Sequence, residues 1–129
     1  MMQYSLLDRR PEETGIPLLL ENNIGVLARG SLAKGLLVDK PAAPYLNYSE
    51  AQTGLAAEAI QRLSGPLRNA AQTAIQFVLQ QSGIACAVTG IRTEEQLDEI
   101  AATPLIPLSA AERGLLAQSI PANYYDAHR

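Results

Sequence analysis

Gly90, Arg92 and Thr93 are residues of the types that bind a phosphate, and they lie close together in the chain. They follow an uncharged run, residues 84–89, at a point where Thr93 can begin a helix. Thr93 can cap that helix, and Gln96 can reach back to the backbone amide of the cap. A glycine turn, backbone N–H groups, a helix N-terminus and a guanidinium together favour an anion. A lone arginine in such a turn is more often a solvated surface residue, so the interpretation depends on the rest of the chain.

A second turn with similar chemistry follows the short apolar run of residues 24–28. This turn reads Arg29-Gly30-Ser31-Leu32-Ala33-Lys34-Gly35 and contains two glycines and two cations. It is therefore a second strand end that suits a phosphate.

Three apolar segments predict strands: residues 1–7, 24–28 and 84–89. The run 84–89 is bounded by Gly83 and Gly90, and its length and lack of charge are typical of a parallel strand buried on both faces. Cys86 lies within it and is predicted to be a small core residue. Nothing before residues 1–7 forms a turn or a cap, so we expect the chain to begin inside a strand.

The segments between the strands predict helices over residues 17–23, 55–63, 67–81, 93–102 and 109–120. In the third of these, one face is apolar at helical spacing and is formed by Leu67, Ala71, Ala74, Ile75 and Val78. Ser109 and Glu112 form a capping box for the last helix. Residues 36–54 predict a long loop, which is either a functional lid or a disordered excursion.

Together, the predicted strands and helices indicate one α/β domain, residues 1–129, with three β/α units, parallel strands and a C-terminal helix. Three such strands alone cannot form a parallel sheet with both faces and both edges buried. A parallel sheet of this kind requires further strands, either in a doubly wound sheet or in a barrel. A (β/α)₈ barrel typically has about 250 residues, so the 129 residues of this chain make roughly half of one. The phosphate site of such barrels commonly follows strands 7 and 8. Here the last two predicted strands carry it.

Composition excludes several functional classes. The net charge is −3, and the ten Lys and Arg residues are scattered, which argues against a nucleic-acid surface. No apolar run approaches about 20 residues and the N-terminus lacks a signal-peptide pattern, so we expect a cytoplasmic protein with no membrane partner. Cys86 and His128 are each the only residue of their type. The chain therefore cannot assemble a cysteine–histidine metal site or a serine–histidine triad, and we expect no metal.

Three segments in this order and spacing, YSLLDRRPEE, GVLARGSLAKGLL and VTGIRTEEQLDE, resemble the C-terminal part of an aldo/keto reductase. The similarity extends from Gln3 to about Leu116 and is weakest between Val38 and Leu55. It implies a partial, half TIM (β/α)₈ barrel that corresponds to strands 6, 7 and 8 with their helices. It also implies that NADP(H) binds in an extended form at the carboxyl ends of these strands.

The resemblance assigns cofactor contacts to the first turn. Arg29 takes the place beside the nicotinamide, on which a guanidinium plane can stack. Gly30, Ser31 and Leu32 take the place of the segment that holds the pyrophosphate, although the usual proline is missing and the serine is displaced by one. Lys34 follows and can reach a phosphate.

The resemblance assigns further contacts to the second turn. Gly90, Ile91 and Arg92 correspond to the turn after strand 8, with Arg92 on the 2′-phosphate that distinguishes NADP from NAD. Gln96 and Glu99 match positions near the adenine, and Glu99 stands where the family commonly has asparagine.

The family's catalytic tyrosine, lysine, aspartate and histidine come from the first half of the barrel, and their motifs are absent from this sequence. One hypothesis is therefore the C-terminal, NADP-binding half of an oxidoreductase of carbonyl compounds that is inactive without its N-terminal half. The alternative is a non-enzymatic half-barrel that self-associates through its open sheet edges or weakly binds a nucleotide. A third possibility is another phosphate-binding barrel with similar strand ends. Under the first two hypotheses, the enzyme half and the non-enzymatic half-barrel, we expect NADPH binding to be weak at most.

Overall fold

A computed structural model describes residues 1–127 of the chain. Within this part, three parallel strands form one sheet in the order β1, β2, β3. The strands are β1 (Met2–Gln3), β2 (Val26–Arg29) and β3 (Ile84–Val88). The α-helices are α1 (Gly15–Glu21), α2 (Glu50–Arg62), α3 (Ala70–Leu79), α4 (Glu94–Ala102) and α5 (Ala110–Ser119). Short 3₁₀ turns lie at Arg10–Glu12, Ala33–Gly35 and Thr103–Leu105. The predicted α/β organisation, with three parallel β/α units and a C-terminal helix, is confirmed.

The core lies on one face of the sheet, and β2 shows why. Val26 and Ala28 are buried, whereas Leu27 and Arg29 alternate with them and are exposed. Because side chains of a strand point to opposite faces in turn, the helices cover one face and leave the other open within residues 1–127. The largest fully buried side chains include Tyr4, Phe77, Leu6, Leu7, Ile16, Leu37, Ile60, Ile75 and Leu116.

Local signals fix the starts of three helices. The side chains of Ser49, Asn69 and Ser109 each accept a hydrogen bond from the backbone amide of the third helical residue. The side chain of that third residue in turn accepts a hydrogen bond from the backbone amide of the cap. Each capping box satisfies two backbone donors that a helix start leaves unpaired. The box predicted at Ser109 is confirmed, and α4 ends at Ala102 as predicted.

The prediction that residues 84–89 are buried on both faces is wrong. Strand β3 lies at the edge of the sheet, and Ala85, Cys86 and Val88 are exposed. The pairing with β2 also shifts between Val26 and Leu27, so Ala85 is an extra residue in a bulge and Cys86 lies opposite the exposed Leu27. Cys86 is therefore an exposed free thiol, not a core residue.

Two other predicted elements are shorter than expected. Strand β1 covers only Met2–Gln3, because the chain turns at Ser5 and Asp8, whose backbones exchange hydrogen bonds of 3.2 and 3.0 Å.

Leu67 does not belong to the apolar face of a helix. It is 85% exposed, because α3 begins only after the Asn69 cap.

The segment 36–54 is neither wholly a loop nor a disordered excursion. Helix α2 begins within it at Glu50, capped by Ser49. Tyr48 is buried, and its hydroxyl donates to the carbonyl of Pro121 at 2.7 Å. This bond fixes the segment to the C-terminal part of the described chain.

No helix within residues 1–127 has the length and apolar character that crossing a bilayer requires.

Candidate functional site

The two candidate turns lie side by side because β2 and β3 are paired and parallel. Arg29 at the end of β2 is level with Val88 at the end of β3. The turn of residues 30–35 and the turn of residues 90–93 therefore start from the same edge of the sheet. Carboxyl ends of parallel strands are where open α/β sheets bind ligands.

The turn after β2 has an unusual backbone. Gly30 and Gly35 have φ values of +73° and +94°, and Ala33 and Lys34 between them have φ values of +48° and +58°. Two successive residues other than glycine in the left-handed region are strained, and such strain concentrates at ligand-binding loops. Lys34 is exposed, and its amine has no hydrogen-bond or ion-pair partner among residues 1–127.

Ser31 and Leu32 face the protein in this turn. Ser31 is 2% exposed, and its Oγ is buried without a hydrogen-bond partner in the described chain. Leu32 is half-buried against the core. The backbone of the turn and Lys34 are therefore accessible to an anion, whereas the Ser31 hydroxyl is not.

The turn after β3 leads into α4. Thr93 Oγ1 accepts a hydrogen bond from the Gln96 amide at 3.2 Å, so the predicted cap is confirmed. The prediction that the Thr93 amide donates to the Gln96 side chain is wrong. Gln96 Oε1 instead accepts from the amide of Arg92 at 2.9 Å, one residue earlier. This bond closes the turn around Arg92.

The donors at the start of α4 are partly engaged by the helix itself. The pKa of Glu95 is lowered by a hydrogen bond from its own backbone amide and by a second from the Thr93 hydroxyl. The sequence predicted free N–H groups here, and an anion at this helix start would have to compete with the Glu95 carboxylate for them. The guanidinium of Arg92 is exposed and has no partner in the described part of the chain, so it remains able to bind an anion.

The remaining predicted residues are all on the surface. Gly90, Ile91 and Glu99 are exposed, and Ile91 is 41% exposed. The Glu99 backbone carbonyl accepts a bond from the Gln72 side chain at 2.7 Å, which ties α4 to α3 and leaves the Glu99 carboxylate in solvent.

Sequence reasoning missed a polar network at the same edge of the sheet. Gln3, level with Arg29 in β1, accepts a bond of 3.0 Å from Arg29 Nη1. Its amide nitrogen donates to Asp8 Oδ2 at 2.9 Å and to the Tyr45 hydroxyl at 3.0 Å. Arg10 donates two bonds of 2.7 and 2.9 Å to the same Asp8 carboxylate. The signal in the sequence was Gln3, an amide in a predicted strand that is otherwise mostly apolar.

The electrostatics of this network follow from burial. Asp8 is 1% exposed, and its hydrogen bond raises the pKa of Arg10 above its usual value. Burial raises the pKa of the Tyr45 hydroxyl, and the Asp8 carboxylate raises it further. The network is thus a fixed pair of opposite charges that extends through Gln3 to Arg29.

No group of three or more metal-binding side chains occurs within residues 1–127. The prediction that concerned His128 lies outside the described residues.

Comparison with known proteins decides the family. A sequence model of the aldo/keto reductase family matches residues 1–120. The chain belongs to the aldo/keto reductase family. It is also 38% identical, over 139 aligned residues, to YqkF of Bacillus subtilis (strain 168), an uncharacterized oxidoreductase. That alignment covers 100% of this chain and 45% of YqkF.

Solved aldo/keto reductase structures share the fold. AKR11C1 from Bacillus halodurans, in its holo form, superposes with a TM-score of 0.82 at 33% identity, over 99% of this chain and 43% of that one. Its apo form gives the same TM-score and identity, with 45% of that chain covered. The glycerol dehydrogenase AKR11B4 from Gluconobacter oxydans has a TM-score of 0.75 at 19% identity, which supports the fold alone.

The chain therefore spans less than half the length of the relatives it matches. Its three parallel β/α units form part of an aldo/keto reductase barrel, and the predicted half-barrel is confirmed.

Proposed function

We propose that this chain is the C-terminal, NADP(H)-binding half of an aldo/keto reductase-like oxidoreductase. The observation that carries the proposal is that the turns after β2 and β3, each with an exposed cation, begin side by side at one edge of the sheet. In this assignment β1, β2 and β3 are strands 6, 7 and 8 of the barrel. The whole reaction, reduction of a carbonyl compound by NADPH, requires the rest of the barrel.

The cofactor's charges suit the cations at this edge. NADP(H) carries a pyrophosphate and a 2′-phosphate, and both the Lys34 amine and the Arg92 guanidinium lack partners in the described chain. We assign Lys34 and the backbone of the turn Gly30, Ser31 and Leu32 to the pyrophosphate, and Arg92 to the 2′-phosphate. We place Gln96 and Glu99 near the adenine, and Arg29 on the nicotinamide side.

The tyrosines with raised pKa values are poorly suited to donate a proton to a carbonyl oxygen. The Tyr4 hydroxyl is buried and donates to Glu12 at 2.6 Å, and burial raises its pKa above the usual range. Burial also raises the pKa of Tyr48 to about 12. An acid catalyst works best with a pKa near the working pH. Since the motifs that carry the catalytic residues of the family are also absent from this sequence, we propose that the chain alone does not turn over. Carbonyl-dependent oxidation of NADPH by pure protein contradicts this.

Replacement of Arg92 by alanine tests the cofactor assignment. We expect Arg92→Ala to weaken NADPH binding by about tenfold and NADH binding by less than about twofold, because one charge-assisted contact to a phosphate is lost. Binding of both dinucleotides is measured by nicotinamide fluorescence at high protein concentration, since weak binding is expected.

Arg62→Ala is the matched control for this experiment. Arg62 is an exposed arginine on α2 that pairs only with Glu58, at 3.4 Å, within the described chain. We expect the Arg62→Ala variant to bind NADPH and NADH as the unsubstituted chain does. Equal losses in the two variants would mean that net charge, and not a site at Arg92, governs binding.

A second candidate function, self-association of a half-barrel, is favoured by the exposed edge of the sheet. Strand β3 carries exposed Ala85, Cys86 and Val88, with Leu27 beside it on the open face. An uncovered strand edge offers unpaired backbone groups to another chain, and a second copy could cover it.

Under this candidate, Val88→Lys should convert a dimer at micromolar concentration into a monomer, because a charge on an edge strand opposes pairing. Sedimentation velocity measures the mass of both proteins. Leu67→Lys is the control, since Leu67 is 85% exposed and remote in sequence from the edge. A monomeric unsubstituted chain contradicts self-association and leaves the cofactor proposal intact.

A further inference from the structure

We propose that Gln3 is a positioning residue that holds the guanidinium of Arg29 in a fixed orientation for the nicotinamide end of the cofactor. The inference rests on the proposed function, since that function places Arg29 on the nicotinamide side. Gln3 and Arg29 are level in neighbouring strands, and Arg29 Nη1 donates to Gln3 Oε1 at 3.0 Å. This is the one hydrogen bond of the Arg29 side chain within residues 1–127.

The orientation of the Gln3 amide is set by the buried Asp8. A carboxylate paired with Arg10 only accepts hydrogen bonds, so the amide nitrogen of Gln3 must face Asp8. The second hydrogen on that nitrogen is directed to the Tyr45 hydroxyl. The carbonyl oxygen is then left to face Arg29, which has only donors. A flipped amide would place donors against Arg29 and an acceptor against Asp8.

Gly30 gives the Gln3 side chain the room that it needs. A Cβ added at Gly30 would lie 3.2 Å from Cγ and 3.7 Å from Cδ of Gln3. The same glycine has a φ of +73°, so both its backbone and its missing side chain suit this position. Gln3 is thereby held by packing on Gly30 and by three hydrogen bonds.

A fixed Arg29 has a consequence for binding. An exposed arginine loses rotamer freedom when it stacks on a ring, and this entropy loss weakens binding. Because Gln3 restrains Arg29 before the cofactor arrives, part of that loss has already occurred. The effect concerns the nicotinamide end and should not extend to the 2′-phosphate end.

The test is Gln3→Leu, with two probes, NADPH and 2′,5′-ADP. The second probe has the adenine and the 2′-phosphate but no nicotinamide. We expect the dissociation constant of NADPH to rise about fivefold and that of 2′,5′-ADP to remain unchanged. Gln61→Leu is the matched control, because Gln61 makes one exposed hydrogen bond, to the Val38 carbonyl at 3.1 Å. It should leave both constants unchanged.

A second measurement needs no ligand. The ¹⁵Nη–¹H signal of Arg29 in the free protein should shift and exchange faster with water in Gln3→Leu, because Nη1 is the donor to Gln3. It should be unaffected in Gln61→Leu. An unchanged signal, or unchanged NADPH binding, overturns the positioning role while the cofactor assignment stands. Equal weakening of both probes also overturns it, because that result indicates a general structural effect. If the unsubstituted chain binds neither probe, the proposed function fails and this inference fails with it.

Discussion

Phe77→Ala is expected to lower the free energy of unfolding by about 3–5 kcal/mol, since truncation of a buried aromatic side chain leaves a cavity. Phe77 is fully buried in α3. Its ring is stacked on Tyr4, with centroids 6.2 Å apart and an angle of 15° between the planes. The guanidinium carbon of Arg113 lies 4.8 Å from the ring centroid. Truncation thus removes two contacts together, one with Tyr4, which follows β1, and one with Arg113 of α5.

The loss is measured by urea denaturation followed by circular dichroism. Leu67→Ala is the control, because Leu67 is 85% exposed, and a surface substitution of this kind should change the free energy by less than about 0.5 kcal/mol. Phe77→Leu keeps most of the volume and should cost clearly less than the alanine variant. A Phe77→Ala cost as small as that of Leu67→Ala would contradict the packing of Phe77 against Tyr4 and Arg113.

Helix boundaries could be predicted where the signal is local. Ser109 and Glu112 stand three positions apart, and the bonds between them need nothing beyond their own turn. The same pattern was present at Asn69 and Gln72, where it places the start of α3 after Leu67. An apolar face extended back to Leu67 ignored this cap, which explains the error.

The burial of β3 could not be predicted from its composition. An uncharged run such as residues 84–89 suits a strand in a sheet, but burial depends on which strands lie beside it. Within residues 1–127, β3 is paired only with β2, and the bulge at Ala85 places Cys86 on the open face. The pairing of β3 and its bulge depend on the other strands of the sheet, so the local sequence of residues 84–89 does not indicate them.

The candidate site was predictable in part for a similar reason. The turns after β2 and β3 are contiguous segments, so glycines and cations at strand ends could be recognised from sequence. The network of Gln3, Asp8 and Tyr45 joins positions up to 42 residues apart, and the fold alone brings them together. Only the position of Gln3 in an apolar strand indicated that its amide needed a partner.

Asp8→Ala is expected to cost about 3 kcal/mol in the free energy of unfolding, at the lower end of the range for breaking a buried ion pair. Asp8 is fully buried, and the side chain of Arg10 is only 25% exposed. Removal of the carboxylate leaves two donors of Arg10 and one of Gln3 without their acceptor. Arg10 can turn partly towards water, which limits the loss.

Asp8→Asn tests whether the negative charge of the Asp8 side chain, and not its shape alone, stabilises the fold. The asparagine keeps one oxygen as an acceptor but turns an NH₂ group towards either Arg10 or Gln3, both of which donate. We therefore expect it to recover only part of the stability that Asp8→Ala loses. Asp98→Ala, on the exposed surface of α4, is the control and should change stability by less than about 0.5 kcal/mol.

A double-mutant cycle with Arg10→Ala decides whether Asp8 acts through its pair. If the two side chains stabilise the fold together, the double variant should cost less than the sum of the single variants, by about 1–3 kcal/mol. Added salt should change this coupling little, because a buried pair is screened less than an exposed one. Additive costs would mean that the Asp8 carboxylate stabilises the fold independently of Arg10. In that case the Asp8–Arg10 pair would not be the anchor that orients Gln3 towards Arg29.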